Sequence, residues 1–191
     1  MKEISDIISE SIRLHEQLLA SEIIQKKIQA VVNLILNAYK HKKKVLFCGN
    51  GGSAADAQHI SAELSGKFYF DRPPLFAEAL HVNSSYMTAV ANDYSYDLVF
   101  SRLVESKGVT GDVLIGISTS GKSKNVYNAL FKAKELGMHT IGFCGKNEDI
   151  ITNVSDISLN VPSNDTPRIQ EVHILIGHII CELVEENLFG K

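Results

Sequence analysis

Four side chains in two separated stretches carry the chemistry this sequence can offer. His59 and Glu63 stand four residues apart in a stretch, SAADAQHISAELS, that reads as helix, so they share one helix face. Gln170 and His178 stand eight residues apart in a second helical stretch toward the C-terminus and fall on one broad face. Two imidazoles, a carboxylate and an amide oxygen form a donor set that suits zinc. The same groups can work without a metal, with Glu63 and His178 moving protons. A His–Glu pair at this spacing is also an ordinary surface ion pair, so spacing alone leaves all three readings open.

Two loops beside these residues point to a phosphate. The first, GNGGSAA, follows the apolar run 45–48 and opens a helix. Gly49, Gly51 and Gly52 allow positive φ and close approach of the backbone to a ligand. Ser53 is placed to cap the helix, whose first N–H groups attract anions. The second loop spans 118–123 and gathers Ser118, Thr119, Ser120 and Ser123 around Gly121. Hydroxyls at a helix N-terminus suit a phosphate monoester and need no metal to do so. The GxxxxGK[ST] spacing of a nucleotide P-loop is absent. Gly49-x-Gly51-x-x-Ala54 fits a dinucleotide fingerprint only loosely, and it leaves the second loop unexplained.

The other histidines carry less. His173 precedes His178 by five residues, about 140° around a helix, and reads as a packing or interface residue. His15, His41, His81 and His139 have no motif around them. Cys48, Cys144 and Cys181 lie in apolar runs without a CxxC spacing and read as buried thiols in a reducing compartment.

These groups need a scaffold, and the hydrophobic pattern supplies one. Residues 3–40 show apolar positions at helical spacing, with Ser21 placed to cap a second helix. Their two broad apolar faces either pack on the chain's own core or form an oligomer interface, and the second reading is preferred. From residue 45 the pattern alternates. Strands are expected at 45–48, 76–82, 113–118, 139–144 and 156–161, and helices at 53–66, 123–136 and 168–188. Such alternation implies a parallel sheet covered on both faces, with ligands beyond the carboxyl ends of its strands. The 191 residues suit a single domain. A net charge of −3 without a long basic run speaks against nucleic acid as partner. No apolar run is long enough for a membrane span, and MKEISDIISE lacks the features of a signal peptide. The expected location is the cytoplasm.

Taken together, CGNGGSAADAQH, ANDYSYD, GDVLIGISTSGKS and TPRIQEVHILIGH strongly resemble the sedoheptulose 7-phosphate (phosphoheptose) isomerases of the sugar-isomerase (SIS) domain group. The likeness runs over essentially the whole chain. It implies a flavodoxin-like, doubly wound five-stranded parallel sheet: one SIS domain over 1–191, with 1–40 as a helical oligomerisation segment. It also implies a homotetramer with sites at subunit interfaces and one zinc ion per subunit, held by His59, Glu63, Gln170 and His178. The implied phosphate loop is Ser118, Thr119, Ser120 and Ser123. The implied substrate contacts are Asn50, Gly51, Gly52, Ser53, Glu63, Asp93 and Gln170, with Glu63 and His178 as the acid/base pair. The implied reaction turns sedoheptulose 7-phosphate into D-glycero-D-manno-heptose 7-phosphate through an enediol, the first step toward nucleotide-activated heptose for lipopolysaccharide or capsule. Two departures stand out. Lys67 replaces a common arginine and loses its bidentate fork, and Pro167 stands where many members carry an aspartate. Related non-catalytic scaffolds resemble this chain less at Glu63 and His178.

Overall fold

The N-terminal stretch folds as two helices, α1 (Ile4–Ala20) and α2 (Glu22–Lys40), in a computed structural model that describes residues 3–190. Ser21 breaks them apart. Its backbone is extended, and its hydroxyl accepts from the Ile24 N–H at 3.4 Å, as expected of a cap. The two helices divide the apolar load unequally. Ile28, Val31, Val32 and Ile35 of α2 enter the core, whereas α1 buries only Leu14 and Leu18. Ile4, Ile8, Ile12 and Leu19 of α1 stay exposed, as does Ile23 at the start of α2.

The rest of the chain alternates as its pattern predicts. The strands are β1 (Val45–Gly49), β2 (Ala77–Ala79), β3 (Val113–Ser118), β4 (His139–Cys144) and β5 (Ile157–Asn160). Between and after them come α3 (Gly52–Ser65), α4 (Ser84–Asp93), α5 (Val99–Lys107), α6 (Lys124–Glu135), α7 (Ile150–Val154) and α8 (Thr166–Phe189). The strands form one sheet in the order β2-β1-β3-β4-β5, every pair parallel. This is the flavodoxin-like order expected.

Strand alternation decides which helices cover which face. Val45 and Phe47 of β1 point into a core made with α2, α3 and α8. Leu46 and Cys48 point the other way, into a core made with α5, α6 and α7. β1 and β3 are buried at every residue, which is why both read as unbroken apolar runs and not as alternating ones.

Two differences from the expected elements have physical causes. β2 covers three residues instead of the span 76–82. It is an edge strand entered from Pro73–Pro74, and the chain leaves it for the cap of α4, where Asn83 accepts from the Tyr86 N–H. The segment 84–107 gave no clear element in the sequence. It holds two short helices separated by a 3-10 turn at Tyr96–Leu98, too brief for a helical period to stand out.

Chain order reverses at β1: β2 lies on one side and β3 on the other. The carboxyl ends of β1 and β3 thus form the crevice where open parallel sheets bind ligands. Both candidate loops lie there.

Candidate active site

The turn from β1 into α3 is built on glycine. Gly51 sits at φ +57° and takes the N-cap position. Ser53 is therefore not the cap the sequence pattern predicts. It lies within the first turn and is buried. Gly52 serves close packing instead, since a methyl group there would collide with the amide of Gln170, which sits directly on the turn.

Asn50, just before this turn, is held in a reciprocal amide pair. It donates to Asn125 Oδ1 at 2.9 Å and accepts from Asn125 Nδ2 at 2.9 Å. Tyr96 adds a third bond, its hydroxyl donating to Asn50 Oδ1 at 3.1 Å. Asn50 is thereby fixed in orientation by α6 and by the Tyr96–Leu98 turn. Asp93 is exposed at the end of α4, where it accepts from the Asn92 amide at 2.8 Å.

Across the crevice the hydroxyl loop is already internally ordered. Ser118 Oγ lies 2.9 Å from Ser123 Oγ and 3.5 Å from Ser120 Oγ. Gly121 turns the loop at φ +69°. Ser123 occupies the N-cap position of α6, yet its side chain faces Ser118 instead of capping. A cleft of about 220 Å³ opens beside it, lined by Thr119, Ser120, Lys122, Lys146, Asn147 and Asn164. Hydroxyls, lysines and a helix N-terminus together suit a dianionic phosphate.

The acid/base candidates meet where α3 packs on α8. Gly177 makes this contact possible, since any side chain there would strike Ile60. His178, the next residue, is thereby brought to the exposed face of α3. Its Nε2 lies 3.2 Å from His59 Nε2, which in turn lies 3.1 Å from Glu63 Oε1. One ligand atom from each of the three falls within 4.8 Å of the others. Two imidazole nitrogens this close cannot both present a proton to each other. Either one nitrogen donates and the other accepts, or a cation takes both lone pairs beside the carboxylate, and N and O donors in this mixture suit zinc. Gln170 packs at the first turn of α3. It precedes His178 by eight residues, about 12 Å of helix rise, and lies against Gly52 at the turn.

A SIS-domain family model matches residues 8–145. The chain is 54% identical over 184 residues to the phosphoheptose isomerase of Clostridium acetobutylicum, covering 96% of this chain and 94% of that one. It is 48% identical over 189 residues to the phosphoheptose isomerase of Sulfurimonas denitrificans, covering 99% and 97%. The solved phosphoheptose isomerase of Neisseria gonorrhoeae superposes with a TM-score of 0.90 at 41% identity, over 96% and 97% of the two chains. The chain belongs to the SIS-domain phosphoheptose isomerase family.

For a member of this family, the sequence motifs located both loops and the His59–Glu63–His178 trio but missed several residues around them. Asp56, one turn before His59, has a buried Oδ2 with no hydrogen-bond partner among the described residues. Burial pushes its carboxyl up to about 6, against the opposing pull of His59. Its signal, an aspartate inside an otherwise small and apolar helical turn, was legible in AADAQH. Asn125, Tyr96 and Lys146 come from other elements and were not.

Proposed function

We propose that this site interconverts sedoheptulose 7-phosphate and D-glycero-D-manno-heptose 7-phosphate. The observation that carries the reading is the meeting of Glu63 and His178 across α3 and α8, joined through His59, on a sheet that also bears the hydroxyl loop. In the ketose-to-aldose direction Glu63 takes a proton from C1 while His178 gives one to the C2 carbonyl oxygen, leaving a 1,2-enediol. Glu63 then returns its proton to C2 and His178 accepts the proton of the C1 hydroxyl, leaving the aldehyde. The C1 proton is far less acidic than a carboxylic acid, so the charge that develops on oxygen must be stabilised where it forms.

His59, Glu63 and His178 would hold one zinc ion per subunit. When bound, it supplies Lewis acidity toward oxygen. Glu63 has two carboxylate oxygens, of which Oε1 faces His59, so one could hold the ion while the other served as base. Gln170, seated against Gly52, is the expected fourth ligand. In that seat it lies with Asn50, Gly51, Gly52 and Ser53 on the substrate side. Asp93 is the further expected contact. Ser118, Thr119, Ser120 and Ser123 anchor the phosphate, and binding at this remote end aligns the reacting carbons.

The exposed isoleucines of α1 support assembly into a homotetramer. Three free, buried cysteines suit the cytoplasm, and the product would feed heptose into lipopolysaccharide or capsule. The deciding experiment is a coupled isomerase assay of Glu63→Gln and His178→Ala. Each is expected to lose about 10²-fold or more in kcat, the usual weight of a positioned acid or base. Near-normal turnover in both overturns the assignment.

A further inference from the structure

The segment joining α3 to β2 is held down by a buried ion pair that the acid/base chemistry does not use. Glu185 of α8 and Arg72 of the segment have side chains that are 0% and 1% exposed. Glu185 Oε1 accepts from Arg72 Nε at 2.7 Å and from the Phe68 N–H at 3.0 Å. Its Oε2 accepts from the N–H groups of Tyr69 and Phe70. Four donors on one carboxylate leave it fully satisfied, which a buried charge requires.

The other end of Arg72 faces α3. Nη2 donates to the Glu63 carbonyl at 2.9 Å, and Nη1 donates to the Leu64 carbonyl at 2.9 Å and the Gly66 carbonyl at 3.2 Å. The first two belong to the last turn of α3, where carbonyls have no partner within the helix. A cation there also faces the negative end of the helix dipole. One guanidinium thus ends the helix that carries Glu63, and its carboxylate partner belongs to the helix that carries His178. The segment between them lays the Phe68 ring 5.7 Å from the His178 ring. Buried ion pairs seldom add net stability over an apolar pair of the same shape, so stability alone is a poor reason for this arrangement.

We propose that Arg72 and Glu185 are positioning residues for the isomerisation. They set the last turn of α3, and with it Glu63, against α8, and they hold Phe68 on His178. The proposal rests on Glu63 and His178 being the acid/base pair. The test uses Arg72→Lys and Glu185→Gln. The lysine keeps the charge but cannot hold three carbonyls and a carboxylate together. The glutamine keeps the shape but turns one acceptor into a donor against the 68–70 amides. In both, kcat is expected to fall at least about tenfold, as for a sub-ångström misplacement of a catalytic group, with KM unchanged. Amide exchange at Phe68, Tyr69 and Phe70 should accelerate in the same samples.

Folded variants that release those amides yet keep wild-type kcat overturn the proposal, as does a rise in KM alone. If neither variant folds, Phe68→Leu, which leaves the ion pair intact, decides: a lower kcat supports the proposal and an unchanged one overturns it. Glu63→Gln run alongside separates the two readings. Turnover retained there sinks the acid/base assignment itself. An inactive Glu63→Gln beside a fully active Arg72→Lys sinks only the clamp.

Discussion

Gly177 acts through what it lacks. Adding a methyl group would drive Ile60 away and pry α3 from α8 at the level of His59 and His178. Gly177→Ala is expected to cost about 1–3 kcal/mol, the usual range for overpacking, and to lower turnover as the histidines separate. Thermal melts and the coupled assay check both effects. His173 is a contrasting case on the same helix. It is fully buried beside Phe143, and its Nε2–H donates to the Cys144 carbonyl at 3.2 Å. Burial holds it neutral and pushes it down to about 4, against an opposing pull from that hydrogen bond. As pH falls from about 6.5 to about 4, the unfolded chain takes a proton that the folded one refuses. Stability present above this window is therefore lost across it, by about 3 kcal/mol. Because Asp56, raised to about 6 by burial, contributes with the opposite sign over the same window, the loss is read as the difference between urea melts of the wild-type chain and of His173→Gln, which keeps a donor for Cys144, from pH 7 to 4.

At the scale of elements, the N-terminus of α6 serves both sides of the crevice. Ser123 faces the hydroxyl loop, while Asn125, buried, holds Asn50 on the opposite side. Asn125→Ala leaves the Asn50 amide without its reciprocal partner. The expected cost is about 1–2 kcal/mol in kcat/KM, the range for a lost hydrogen bond that strands a polar group, with little change in the fold as read by circular dichroism. The sequence showed α6 clearly, because its apolar stripe repeats over three turns. It did not show that α6 reaches Asn50, seventy-five positions earlier. The segment 84–107 is the opposite failure. Its helices of ten and nine residues are too short to carry a period, and tertiary packing stabilises them more than their own pattern does.

At the scale of the molecule, metal and assembly are the variables to measure. No described helix is long and apolar enough to cross a membrane. Zinc that binds the native site and not the unfolded chain stabilises by mass action, about 2.7 kcal/mol at a hundredfold excess over Kd. Melts of the chelated protein with and without added zinc should show this shift, and His59→Ala should abolish it. The apolar face of α1 gives a second test. Replacing exposed Ile8 and Ile12 with glutamate should lower the assembled mass seen in sedimentation without unfolding the monomer, because neither side chain belongs to the core.

The sequence by itself determined the sheet, the two loops at its strand ends and the pairing of His59 with Glu63. Each is a local matter: unbroken apolar runs, glycines and hydroxyls at strand ends, and four-residue spacing on a helix. Only the tertiary structure decided that His178 joins that pair while Gln170 rests on Gly52, because residues eight apart on α8 meet different levels of α3. The tertiary structure also decided that Arg72 and Glu185, ordinary charges in the sequence, would be buried together. Burial depends on what the rest of the chain packs over a residue, and spacing does not encode that.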